Sequence, residues 1–272
     1  MKDYGIRLDR FGHTAVVTFD RPIKKNTFDR HMWDCLMQVT ADLRKKLPRA
    51  VILTGAGDKA FSAGFDVNPE NPLVASLADA VQKHEKGPAM ELINLVRTTT
   101  DNLMSLPVPV IGAINGLAYG GGAEIACRCD LKVMDPDAVI CFSEVKIGLM
   151  PDHGGLAALT RLLGPSRAAD LILTAREIKA AEARELGLVN RISRKGKALE
   201  ESLALAGAIA ENGPQAVRHA LKVIRQAQGM SMSEALALET QAAVDLIASS
   251  ECLYGISAFL ARQKPEFPDI DD

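Results

Sequence analysis

The 272-residue sequence is poor in the features that announce several functional classes. Aromatic residues make up only 4%, with a single tryptophan, and 32 basic residues face 34 acidic ones for a net charge of −2. With neither a basic footprint nor aromatic–basic stripes, the chain does not read as a binder of nucleic acid or anionic membranes. The five cysteines, Cys35, Cys127, Cys129, Cys141 and Cys252, form no C-x-x-C pair, and Cys127-x-Cys129 has no histidine at ligand spacing. A zinc site is therefore not expected, and free thiols in a reducing compartment are. G-x-G-x-x-G and G-x-x-x-x-G-K-[ST] are both missing, which argues against Rossmann and Walker nucleotide sites. Ser62 and Ser143 lack the G-x-S-x-G context of a serine hydrolase. Residues 1–13 carry Lys2, Asp3, Arg7, Asp9 and Arg10 around no apolar core, so they do not read as a signal peptide. A soluble, cytoplasmic protein is the expectation.

One stretch, Asn102 to Ala123, has no charge and imitates a membrane span. It holds Pro107, Pro109 and five glycines, so a strand entering a glycine-rich turn is the better reading. Elsewhere short β-like runs alternate with helical ones. Residues 15–19, 50–54, 110–114, 131–134 and 138–142 read as strands, and 29–46 and 90–103 as helices. This alternation predicts an α/β fold with largely parallel pairing. From about residue 198 the strands stop, and three or four helices follow, including 214–227 and 231–247. Between residues 68 and 87 the pattern weakens behind Pro69, Asn71 and Pro72.

Three segments carry candidate chemistry. In residues 114–126 a strand runs into Gly120-Gly121-Gly122 and then a helix containing Glu124. Glycines admit a ligand close to the backbone, and the first helical N–H groups lack intrahelical partners, so they suit an anion or a developing oxyanion. A plain tight turn, with Glu124 as an N-terminal helix charge, uses the same residues. The segment Phe61-Ser-Ala-Gly64-Phe65-Asp66 is placed to add a second backbone donor, or to be an ordinary turn over a buried Phe61. In residues 142–155, Glu144 ends a strand and Asp152 lies in a Pro/Gly loop. Two or three carboxylates at one oxyanion site suit proton transfer beside a carbonyl, or water addition. Asp152 also qualifies as a helix cap, and His153 reads as a loop histidine.

In order and spacing these segments resemble the crotonase (enoyl-CoA hydratase/isomerase) superfamily. The similarity rests on residues 60–66 (AFSAGFD), 115–124 (NGLAYGGGAE), 144–151 (EVKIGLMP), 183–190 (ARELGLVN) and 264–267 (KPEF). The resemblance implies a spiral core of ββα units over residues 1–197. It also implies a C-terminal helical region, 198–272, that assembles a homotrimer or a dimer of trimers. The substrate implied is an acyl-CoA thioester, with no cofactor and no metal. Phe65 and Gly121 would supply the oxyanion-hole N–H groups. Ala63, Gly64, Asp66 and Gly120 would line the CoA path, and Lys25 would meet a phosphate. In hydratases of the superfamily, glutamates matching Glu124 and Glu144 hold the water and protonate the α-carbon. Asp152, eight residues after Glu144, matches instead an acid of dienoyl-CoA isomerases, which carry aspartate where Glu124 stands. A hydratase is the leading expectation and an isomerase using Glu144 and Asp152 the alternative. Members that bind RNA or lack catalysis are disfavoured by the neutral charge and by the paired glutamates. Residues 68–86 are expected to form a lid over the acyl pocket.

Overall fold

The computed structural model describes residues 5–270; Lys2 and Asp3 of the charged opening segment lie outside the described residues. Among the described residues ten strands form two sheets. The larger contains β1 (Gly5–Phe11), β2 (Thr14–Asp20), β3 (Ala50–Gly55), β5 (Val110–Ile114), β7 (Leu131–Met134) and β10 (Arg191–Ile192), in the order β1-β2-β3-β5-β7-β10. The smaller contains β4 (Ala60–Ser62), β6 (Leu117–Tyr119), β8 (Val139–Cys141) and β9 (Ile178–Lys179), in that order. The β1–β2 hairpin and the β8–β9 pair are antiparallel. The remaining ladders are parallel.

Each of the pairs β3/β4, β5/β6 and β7/β8 gives one strand to the large sheet and the next to the small one; helices return the chain to the large sheet after the first two pairs, and after β8 they lead to β9 of the small sheet. This repeated ββα step is the spiral expected from the resemblance. The helices are α1 (Arg30–Lys45), α2 (Pro72–Gln82), α3 (Gly87–Met104), α4 (Gly121–Arg128), α5 (Gly155–Leu163), α6 (Pro165–Thr174), α7 (Ala180–Glu185), α8 (Ala198–Ala210), α9 (Pro214–Ala227), α10 (Met232–Ala248) and α11 (Glu251–Ala261). Asp29 caps α1 by accepting the Met32 N–H at 3.0 Å. The weak pattern over 68–87 resolves into α2, whose opening proline sits at the first helical position, where its missing N–H is not needed. The uncharged stretch 102–123 is divided among the end of α3, β5, β6 and the start of α4. Among the described residues no single helix is long and apolar enough to cross a membrane.

The main core lies on one face of the large sheet and includes Phe19, Phe28, Trp33, Leu53, Phe61, Leu103 and Phe142. β3, with all six residues buried, has apolar side chains on both faces, as a sheet covered on both sides requires. Its other face, with Val16, Ile52, Ile111 and Val133, is covered by Leu205 and Ala206 of α8. The first helix of the C-terminal region is thus part of the core packing. Arg225 of α9 anchors the next helix, with Nε and Nη2 at 2.8 and 2.6 Å from the Asp130 carboxylate and Nη1 2.7 Å from the Leu106 carbonyl.

Candidate active site

The chain brings together three turns: residues 61–66 after β4, 119–124 between β6 and α4, and 142–155 after β8. Gly64 has φ +85°, and a Cβ there would fall 2.7 Å from the Tyr119 carbonyl and 2.8 Å from the Gly121 nitrogen. Only glycine allows the first two turns to meet this closely. The segment at Gly64 is fixed from behind. Phe28 N–H donates to the Gly64 carbonyl and Asp66 N–H to the Phe28 carbonyl, at 2.8 and 2.9 Å. Ser62 Oγ accepts the Gly64 N–H at 3.0 Å and donates to the Asn26 carbonyl at 2.8 Å. Ser62 is therefore a structural hydroxyl.

These bonds leave the N–H of Phe65 directed away from Phe28. Neither it nor the N–H of Gly121, the first residue of α4, meets an acceptor among the described residues. Two such donors on adjoining turns, one at a helix N-terminus, can stabilise a negative charge placed between them.

Glu124 is fully buried. Its Oε2 accepts the N–H groups of His153 and Gly155 at 2.9 and 2.8 Å, and its Oε1 accepts that of Asp152 at 3.2 Å. A Cβ on Gly155 would lie 2.6 Å from the Glu124 Cβ, so this glycine makes room for the glutamate. Burial, helped by the charge of Glu144, pushes the Glu124 carboxyl up to about 8, against the opposing pull of the Gly155 N–H. Glu144 opens a 3-10 turn, Glu144–Ile147, after β8. Both its carboxylate oxygens are buried and receive no hydrogen bond. Burial raises its carboxyl too; its own amide and nearby Glu124 oppose the shift, and Asp152 adds to it. A Cβ on Gly120, φ +52°, would lie 3.5 Å from Glu144 Oε1, placing this carboxylate over the glycine turn. Glu124, Glu144 and Asp152 thus share one site.

Asp152 does not cap a helix: α5 starts after Gly154 and has no side-chain cap. Its carboxyl, raised by burial, is partly open to solvent, with Oδ1 3.2 Å from His153 Nε2. His153 lies in the loop before α5, as expected, but it is buried there. It is 6% exposed and packs edge-to-face on Trp33 with centroids 5.5 Å apart. A Cβ on Gly121 would fall 2.6 Å from its Nδ1. Its burial depends on a tryptophan 120 positions away and on an absent side chain, so no local pattern announces it.

Among the residues expected along a CoA path, Ala63 donates its N–H to the Lys25 carbonyl at 2.9 Å, and the Lys25 side chain is exposed. The Asp66 carboxylate is held by Arg21 at 2.7 Å and by the Asn68 N–H at 3.1 Å, so its side chain is committed to the fold. Ligand-type atoms of Glu124, Asp152 and His153 lie within 4.8 Å of one another, close enough for a cation. The N–H groups of His153 and Gly155 already occupy Glu124 Oε2.

Comparison with known proteins identifies the family. Residues 12–270 match the family profile described as Enoyl-CoA hydratase/isomerase. An enoyl-CoA hydratase from Mycobacterium tuberculosis is 34% identical over 264 residues, covering 96% of this chain and 95% of that protein. A short-chain-enoyl-CoA hydratase from Clostridium acetobutylicum is 32% identical over 260 residues, covering 95% of each. The crystal structure of an enoyl-CoA hydratase from Bacillus anthracis superposes with a TM-score of 0.88 at 32% identity, over 97% of this chain and 98% of that one. Fold, family profile and relatives agree: the chain belongs to the enoyl-CoA hydratase/isomerase family of the crotonase superfamily.

Proposed function

We propose that the protein is an enoyl-CoA hydratase, adding water across the α,β double bond of an acyl-CoA thioester. The observation that carries this reading is the pairing of two glutamates with buried carboxylate groups, Glu124 and Glu144, beside the N–H groups of Phe65 and Gly121, which meet no acceptor among the described residues. Addition to an enoyl thioester places negative charge on the thioester oxygen, and two fixed N–H donors hold that charge where it develops. Burial raises both carboxyls, Glu124 to about 8, so the pair retains one proton near neutrality; with three N–H groups on the Glu124 oxygens, passing that proton to Glu144 leaves Glu124 as the anion in the reacting state. Glu124 accepts a proton from water as the water oxygen bonds to Cβ, and Glu144 delivers its proton to Cα. The pair ends with one proton, as it began, and transfer between the neighbouring carboxyls resets it. No cofactor enters this cycle.

Lys25 is the proposed phosphate contact of CoA, with Ala63, Gly64, Asp66 and Gly120 lining the path through their backbone. Assembly as a trimer, or a pair of trimers, is part of the same proposal. Val244 and Ile247 of α10 and Leu253, Ile256, Phe259 and Leu260 of α11 are exposed, an apolar extent that fits burial against further copies of the chain.

Asp152 gives the isomerase reading its one specific support, a third carboxylate within the site. Conjugated enoyl-, 3-enoyl- and dienoyl-CoA substrates, with products identified by mass and retention, separate the two. A hydratase converts the conjugated enoyl thioester to a product heavier by one water; an isomerase returns products of unchanged mass.

A further inference from the structure

We propose that Arg128 is a positioning residue for Glu124: its guanidinium grips the loop 152–155 by the His153 carbonyl and so holds in place the peptide N–H groups that bind the Glu124 carboxylate. Arg128 stands one helical turn after Glu124 on α4, so both side chains leave the same face of the helix. That face meets consecutive peptide units of the loop. Glu124 Oε2 takes the N–H of His153 at 2.9 Å and that of Gly155 at 2.8 Å. The unit between them presents the His153 carbonyl, which accepts from Arg128 Nη1 at 2.7 Å. No backbone N–H among the described residues reaches this carbonyl. Gly154 makes the approach possible: its φ is +94°, and a Cβ there would fall 3.0 Å from Arg128 Nη1. The guanidinium is itself aimed, because Nη2 donates to Asp101 Oδ1 of α3 at 2.5 Å. The Arg128 side chain is only 15% exposed, whereas that of Asp101 is 46% exposed.

The titratable groups facing Glu124 are Glu144 from the 3-10 turn, Asp152 and the His153 ring from the loop, and Cys127 on its own helix. Glu144 and Asp152 disfavour the Glu124 anion, and the loop N–H groups oppose them. With Arg128 removed, the His153 carbonyl loses its donor, the middle peptide unit is free to turn, and the N–H groups on either side swing with it. Glu124 then loses the bonds that favour its anion, the form that takes the proton from water. This role rests on the hydratase reading, yet its readouts need no turnover, so a failure to hydrate enoyl-CoA leaves them intact.

The test is amide hydrogen exchange on the full-length protein, read residue by residue, together with titration of a carbon-13 label on the Glu124 carboxyl, assigned with Glu124→Gln. Arg128→Met keeps an apolar stem and removes the donor. Losing one hydrogen bond to a charged group should speed exchange at the His153 and Gly155 N–H groups by about 10-fold or more beyond any change at the amides of β3. The Glu124 titration should move up by about one unit. Asp101→Ala, at a half-exposed carboxylate, separates position from charge. It removes a negative charge, which alone moves the Glu124 titration down; a guanidinium that has lost its aim moves it up and speeds the same two amides. Should Arg128→Met not fold, Asp101→Ala carries the test. Exchange at His153 and Gly155 that rises no more than in β3, or a Glu124 titration that does not move up in Asp101→Ala, overturns the proposal.

Discussion

Glu124→Gln probes the site most sharply, because the structure fixes what the amide replaces. Oε2 accepts two N–H bonds, from His153 and Gly155, and Oε1 accepts one, from Asp152. Glutamine keeps one acceptor. Its oxygen takes the Oε2 position, which saves the two shorter bonds, and its NH2 then faces the Asp152 N–H, donor against donor. One buried donor left unsatisfied costs ~1–3 kcal/mol. Against this, glutamine removes the cost of a buried charge, and that cost depends on pH. Burial lifts the folded Glu124 carboxyl from its usual 4.5 to about 8, so between these values the folded chain binds more protons than the unfolded one. Stability from this group is fully present below about pH 4.5 and is lost as pH rises through about 8. Thermal melts should show wild-type Tm falling across this window and a flatter slope in Glu124→Gln, the variant being the less stable near pH 5. Turnover of a short enoyl-CoA, followed at the enoyl-thioester absorbance, should drop by at least ~10²-fold, because the group that takes the water proton is gone. A folded Glu124→Gln protein with near wild-type turnover, or with an unchanged slope of Tm against pH, would refute the reasoning.

Gly121→Ala keeps the N–H but sets a methyl against the His153 ring, so helix and ring must part; turnover should fall roughly 10²-fold, the scale of a lost oxyanion donor, while circular dichroism stays native. Arg225→Ala removes a paired contact to Asp130 together with bonds to the Leu106 and Val108 carbonyls, and denaturant melts should report a loss of ~2–4 kcal/mol, with unchanged stability counting against the anchor. Light scattering at micromolar concentration should give a trimer or a multiple of three, and a monomer would leave the exposed apolar face of α10 and α11 unaccounted for.

Much of the site is legible in the sequence because its parts are local. Gly120 to Glu124 is a turn and the first residues of its helix, and the glycines and the carboxylate are read from one short segment. The same holds for Gly64–Phe65, where a positive φ is needed, and for Glu144 at the end of a strand run. What escapes is what depends on distant partners. β1 goes unread because it is an edge strand with Ile6 and Leu8 set among Arg7, Asp9 and Arg10, so the segment looks charged rather than β-like. The short strands β4, β6, β9 and β10 are two or three residues long and owe their existence to neighbours from other units. Asp152 looks like a helix cap because Gly154 follows it, yet the loop instead turns the N–H groups of Asp152, His153 and Gly155 onto Glu124. The boundary expected after residue 197 follows the end of the strands in sequence, whereas α8 buries Leu205 and Ala206 on the large sheet.

The central claim is that Glu124 and Glu144 add water to an enoyl thioester held at the Phe65 and Gly121 N–H groups. Its most direct test is turnover of crotonyl-CoA in heavy-oxygen water, with the product read by mass spectrometry in the wild type and in Glu144→Gln. The wild type should form a 3-hydroxyacyl-CoA carrying the heavy oxygen, and the variant should form it at least ~10²-fold more slowly. A wild-type protein that binds crotonyl-CoA and returns it unlabelled, or a folded Glu144→Gln that labels it at the wild-type rate, would contradict the account.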